Sequence, residues 1–317
     1  MELSFYSKYP FTKGAKEFMG SARVSDEFQL AELAKRRVVS AVKDGRIPVM
    51  NVELDDSQLL LQVASYAVSR MMISLLKSRY YVGRYAVAEA KRASTYMGRD
   101  SDENVLRIAR ELGVGCEIDG HYSVSFQDYL MYAPKSVDYK LVNRRLAKGA
   151  VRLRREEFVR ILEEAVRLKI ESELPLNTDD MPAGIKEAAD AVRRSIPKEP
   201  QQVSLSLERS EFPPCMSKLL EDLKTVENLN HTARWALAVY LINAGMKVDD
   251  VVRLFSTSPD FDERITRYQI EHAVKRGYKM PTCSSMDSYG LCVSNCGVKS
   301  PLGYRRRVVG KPAAQGE

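Results

Sequence analysis

No stretch of this 317-residue sequence approaches the roughly eighteen uncharged apolar residues needed to cross a bilayer. The start, Met1-Glu2-Leu3-Ser4-Phe5, has no basic segment leading into an apolar one, so a secretory signal is not expected and the chain is expected to be intracellular. Internal repeats and low-complexity tracts are missing. There is no G-x-x-x-x-G-K-[ST] phosphate loop and no G-x-S-x-G nucleophile elbow. No serine or cysteine is identified as a nucleophile partner for His121. The acidic pairs Asp55-Asp56, Asp179-Asp180 and Asp249-Asp250 fall at expected helix starts or in loops, where capping is a simpler role than holding catalytic metal ions. No catalytic residue is therefore assigned.

What remains is an ordinary globular composition, 44% hydrophobic and 29% charged, long enough for two domains with separate cores. The net charge of +7 permits nucleic-acid binding without requiring it. Its distribution says more. Between His272 and Lys311 there are eight Lys or Arg against one acid, and between Lys140 and Arg160 eight against two. Such stretches are either solvated faces or surfaces for a phosphate backbone.

Hydrophobic periodicity predicts a mainly α fold. Asp55 and Asp56 cap a helix from Gln58 to Ser78, and further helices are expected over Val82–Met97, from Asp102 to near Gly113, and over Glu156–Glu171. Lys148–Leu153 alternates like a short strand. Residues 196–210 begin with two prolines and no apolar period and are expected to be a linker. It would join a helical domain, 1–195, to a second helical domain, 211–317. Helices are expected there over Asn230–Gly245, Val248–Ser256 and Asp262–Arg276. After Gly277 the sequence is rich in glycine and proline and needs a staple to hold it.

Cysteine supplies one. Cys116 stands alone, but Cys215, Cys283, Cys292 and Cys296 follow one another as C-x67-C-x8-C-x3-C beyond the linker. Disulfides do not suit an intracellular chain with an odd cysteine count. A structural zinc site usually presents two short C-x2-4-C hooks, and only one close pair is present. An iron–sulfur cluster tolerates irregular spacing and a distant fourth thiolate. Spacing alone leaves zinc and a cluster both open.

The residues around the cysteines form a longer series: Phe212-Pro213-Pro214-Cys215, Asn228-Leu229-Asn230-His231-Thr232-Ala233-Arg234, Ile265-Thr266-Arg267-Tyr268-Gln269-Ile270-Glu271-His272, Tyr278-Lys279-Met280-Pro281-Thr282-Cys283 and Ser288-Tyr289-Gly290-Leu291-Cys292. In this order they resemble the C-terminal domain of the large subunit of archaeal and eukaryotic DNA primases. Weaker similarities, at Tyr9-Pro10-Phe11, Arg84–Ala90 and Phe126–Leu130, extend the resemblance over nearly the whole chain.

The resemblance implies a 4Fe–4S cluster on Cys215, Cys283, Cys292 and Cys296. It implies that His231 and Arg234 face the 5′ end of a primer and its phosphates, and that Tyr268, Gln269 and His272 contact the template–primer end, with Arg267 and Lys275 around them. The chemistry of these side chains agrees: an arginine fork at a helix start suits phosphate oxygens, and a tyrosine can stack on a base. The alternative for Arg234 is a pair with a nearby carboxylate, and for Tyr268 a place in the core. Trp235 is expected in the core. The implied function is that of a non-catalytic, regulatory subunit. Its partners would be a small catalytic subunit, DNA template, RNA or DNA primer and nucleoside triphosphate, with Phe126, Tyr129 and Leu130 offered as a partner contact. Other classes that the residues allow are an iron–sulfur glycosylase, whose cysteines are usually spaced more tightly, and a zinc adaptor that binds nucleic acid.

Overall fold

A computed structural model of the chain describes residues 2–24, 26–49, 54–134, 137–200, 212–224 and 229–304. The Arg305–Arg307 run, Lys311, Asn228 and most of the expected linker lie outside the described residues. The chain divides into two compact units, one of residues 1–134 with 141–198, the other of 135–140 with 199–317.

The first unit starts with α1 (Glu2–Lys8), α2 (Lys13–Ser21) and α3 (Glu27–Asp44), followed by α4 (Asp56–Leu75), α5 (Arg79–Met97) and α6 (Asp102–Glu111). Strands β1 (Cys116–Ile118) and β2 (Tyr122–Ser125) lead into α7 (Phe126–Tyr132), then β3 (Leu146–Ala147) and β4 (Ala150–Leu153) lead into α8 (Arg155–Ser172) and α9 (Ala183–Ser195). The strands form one antiparallel sheet in the order β1-β2-β4-β3. The expectation of a mainly helical fold with a small β element holds. Lys148–Leu153 supplies β4 and the turn before it, where Lys148 and Gly149 both take positive φ, as a two-residue hairpin requires.

Local chemistry sets the helix boundaries. Asp55 caps α4 by accepting the Gln58 amide at 2.9 Å, while the Gln58 side chain returns to the Asp55 amide at 3.1 Å. The Asp55-Asp56 pair is thus a helix start. In the middle of this unit, the buried Arg37 on α3 makes two bonds to Glu89 on α5, at 2.5 and 2.8 Å, and a third to Ser65 on α4 at 3.1 Å. Three helices meet on one buried ion pair. Burial raises the Glu89 pKa and the Arg37 charge lowers it; the balance lies below the usual carboxylate value.

The second unit consists of α10 (Pro214–Lys224), α11 (His231–Asn243), α12 (Val248–Phe255), α13 (Glu263–Lys275) and α14 (Cys283–Ser288). Met216, Leu219 and Leu223 of α10 pack with Ala233, Leu237, Tyr240 and Leu241 of α11 and with Val251 and Phe255 of α12. Among the described residues this unit has no strand. The helix α13 gives the core only Ile270 and Ala273, which leaves most of its surface for other work.

Candidate nucleic-acid interface and thiol quartet

Each of the four cysteines is set by a local device. Pro214 opens α10, where its fixed φ suits a first helical turn, and Cys215 follows it, buried. Thr282 caps α14 through the Ser285 amide at 3.2 Å, making Cys283 the first helical residue; the Cys283 amide is also bonded to the Lys299 carbonyl at 2.9 Å. Cys292 and Cys296 both direct their thiols at the carbonyl of Ser294, each at 3.5 Å.

The four thiols are near enough to influence one another. The Cys215 thiol is pushed up to about 11, by burial first and then by the charges of Cys296, Cys292 and Cys283. Cys283 is raised by burial and by Cys292 and Cys296. None is in a disulfide. Among the described residues, no three His, Cys, Asp or Glu side chains are grouped so as to hold a metal ion. Cys116, half-buried on β1, belongs to the other unit.

The same unit contains a cleft of about 840 Å³ between α11 and α13. His231, Arg234, Tyr268, Gln269 and His272 all line it, so five residues singled out in the sequence converge on one surface. Asn230 caps α11 by accepting the Ala233 amide at 2.8 Å, so His231 is the first helical residue and is exposed, not the cap. Arg234, one turn on, donates from Nε to the Leu229 carbonyl at 2.7 Å and from Nη2 to Asp260 Oδ2 at 2.5 Å. The carboxylate pairing weighed for Arg234 is therefore present, and it holds the guanidinium in the wall of the cleft.

The opposite wall is aromatic. Tyr268 is 68% exposed, which removes the possibility that it is a core residue. Its ring lies 6.1 Å from that of His272, His272 lies 5.9 Å from Tyr278, and Tyr278 lies 6.3 Å from Trp235. Gly277, at φ 62°, turns the chain after α13 so that Tyr278 comes back to this row. Trp235 packs partly on the core and partly lines the cleft, so its expected core position is half of its role. Tyr268, the exposed end of this row, offers a ring on which a base can stack.

Arg267 and Lys275 are placed differently. Arg267 pairs with Asp249 at 2.6 Å, Glu263 at 3.3 Å and Glu271 at 4.0 Å, and does not line the cleft. Lys275 is exposed in the last turn of α13 and has no ion pair among the described residues. Asp260, Asp262, Thr266 and Tyr289 also line the cleft and were not identified from the sequence. Asp260 comes from the loop after α12, 26 residues beyond Arg234, and no local pattern links the two.

In the first unit, Phe126, Leu130 and Met131 of α7 are exposed at 39, 59 and 64%. Tyr129, expected beside them as a contact, is only 1% exposed and points inward. In the stretch Lys140–Arg160, Arg144 and Arg154 pair with Glu157, Arg155 with Asp102 and Arg160 with Glu163, while Arg145, Lys148 and Arg152 are exposed and have no ion pair among the described residues.

Fold and site together define a two-unit helical chain whose second unit carries a cysteine quartet and a cleft of arginine, histidine and aromatic side chains. Residues 205–306 match the family described as the C-terminal domain of the large subunit of eukaryotic and archaeal DNA primase. Similarity to curated proteins extends further. The DNA primase large subunit PriL of Methanococcoides burtonii is 34% identical over 95% of this chain and 91% of its own length. That of Methanosarcina acetivorans is 33% identical over 97% and 89%. The Archaeoglobus fulgidus protein of the same name is 32% identical over 79% of this chain and 70% of its own length. The chain belongs to the DNA primase large-subunit family. Among the described residues, no helix is long and apolar enough to cross a membrane.

Proposed function

We propose that this chain is the regulatory subunit of a primase, and that its second unit holds the phosphorylated 5′ end of the primer, or the initiating nucleotide, beside the template. The observation that carries the reading is the convergence of His231, Arg234, Tyr268, Gln269 and His272 on one cleft in a member of this family. Arg234 would meet phosphate oxygens, with His231 beside it at the start of α11, where helix amides favour anions. Tyr268 and His272 would stack on bases of the template–primer end. Gln269 would bond to backbone or base edge. Lys275 would add to the positive field, and Arg267 would act through its carboxylate partners as an anchor of α13 more than as a contact.

The thiol quartet would hold a 4Fe–4S cluster through Cys215, Cys283, Cys292 and Cys296. Cys215 and Cys283, whose thiols are pushed up by burial and by the neighbouring cysteines, need a cationic centre to be held as thiolates. A cluster accommodates the irregular C-x67-C-x8-C-x3-C spacing, which lacks the two short hooks usual in a structural zinc site. When bound, the cluster supplies cross-links that fasten the tail after Gly277 to α10. The residues then need no chemistry of their own.

Polymerising acids are expected on a separate small subunit, whose contact would include the exposed Phe126 and Leu130 of α7. Holding two reactants together makes their encounter nearly intramolecular, which the first dinucleotide bond requires. The test is a complex with the small subunit in which this chain carries His231→Ala and Arg234→Lys. De novo initiation should fall at least about tenfold while extension of a supplied primer continues, a loss of ~1.4 kcal/mol in transition-state stabilisation. Equal losses in both reactions would refute the assignment.

A further inference from the structure

The helix α5 presents Ala88, Lys91, Arg92 and Thr95 at the spacing of a single helix face. The segment leaving α3, Arg46–Val49, passes beside this face, and the two enclose a cleft of about 410 Å³. Three of its eight lining residues are cations, Arg46, Lys91 and Arg92, and none is acidic.

Arg92 is the unusual member, because it is only 3% exposed. Its Nη1 and Nη2 donate to the carbonyls of Lys8 and Ser7, at 3.2 and 3.0 Å, and Tyr96 places its ring 5.0 Å away. No carboxylate among the described residues forms an ion pair with it. Glu89, the acid that acts on it from a distance, gives both oxygens to Arg37. Burial and the Arg37 charge lower the pKa of Arg92, the sign of a guanidinium short of negative charge. Arg46 and Lys91 are exposed at the rim, and neither has an ion pair among the described residues. A second basic cleft of this unit is different: it has Glu111 in its lining, and of its five cations Lys13, Lys16, Arg107 and Lys169 pair with Glu17, Glu173 and Glu2.

A buried cation without a counter-ion is costly unless something supplies the missing charge. We propose that the cleft formed by Arg46, Lys91, Arg92 and Thr95 is an anion site that takes a phosphate group, from a free polyphosphate or from a nucleic-acid backbone. A guanidinium at the bottom and two exposed cations at the rim supply the positive charge that the oxygens of such a group require. Ile47, Pro48 and Val49 give one side of the cleft an apolar wall. This site lies in the first unit and does not depend on the reading of the second.

The test is acylation footprinting of the full-length chain, with Lys91 as reporter and Lys186, exposed on α9, as control. Inorganic pyrophosphate should slow modification of Lys91 several-fold and leave Lys186 unchanged. Arg46→Gln, a rim substitution that leaves the buried network intact, should abolish the protection without changing the melting temperature. Protection by a single-stranded oligonucleotide at lower concentrations than pyrophosphate would identify a nucleic-acid backbone as the source; protection by pyrophosphate alone would identify a free polyphosphate. Either result supports the site. Unchanged Lys91 reactivity at millimolar pyrophosphate, or equal protection in Arg46→Gln, overturns it.

Discussion

Arg234 and Asp260 face each other across 2.5 Å in the wall of the second unit's cleft, and the other oxygen of Asp260 is buried without a hydrogen-bond partner among the described residues. The pair is an anchor: the carboxylate from the loop after α12 and the Leu229 carbonyl fix the guanidinium from two sides. Asp260→Asn keeps the shape and removes the charge. On the proposed function it should weaken binding of a phosphate-ended primer about threefold to tenfold, as expected for losing a charge-assisted bond of ~1 kcal/mol. Titration of the variant by fluorescence anisotropy checks this. Unchanged affinity would mean that Arg234 does not depend on Asp260 for its position.

The Arg37–Glu89 pair should dominate the stability of the first unit. Glu89→Ala leaves Arg37 buried with its main partner gone, and a loss of about 3–5 kcal/mol is expected. Urea unfolding followed by circular dichroism measures it. Glu89→Gln, which keeps hydrogen-bonding capacity, should lose less.

Acid sensitivity follows from Glu157. Burial raises its carboxyl pKa, but bonds from Arg144 and from the Arg154 amide and side chain outweigh this and hold it at about 2. A folded value below the unfolded one means that Glu157 contributes its full stability above pH ~4.5, and that this contribution is lost as pH falls from there towards 2. Glu157→Gln should lower the melting temperature at pH 7 and show a shallower decline between pH 4.5 and 2.5 than the parent chain. Parallel declines would show that other groups govern acid unfolding.

Metal content separates the two chemistries that cysteine spacing left open. Protein purified without oxygen should contain about four irons and four acid-labile sulfides per chain. Cys283→Ser should lose both and become more susceptible to proteolysis after Gly277. One zinc and no sulfide would replace the cluster with a structural zinc site.

The sequence made the helices legible where apolar period and caps agreed, as at Asp55 with Gln58 and Asn230 with Ala233. The hairpin β1–β2 was missed because its three- and four-residue strands are too short for alternation to register. Burial of Tyr129 was equally hidden, because helical spacing places Phe126, Tyr129 and Leu130 close together without telling which one faces the core. In the cleft, His231 with Arg234 and Tyr268 with His272 were readable as neighbours one turn apart. Asp260 and Tyr278 were not, since they reach the cleft from loops whose course depends on tertiary packing.

The most direct test of the proposed function compares the affinity of the anaerobically purified chain for two template–primer duplexes, one with a 5′-triphosphate primer end and one with a 5′-hydroxyl end. The parent chain should favour the triphosphate end at least about tenfold, ~1.4 kcal/mol, and His231→Ala with Arg234→Lys should remove that preference. Equal affinity of the parent chain for both ends would contradict the placement of the primer terminus in this cleft.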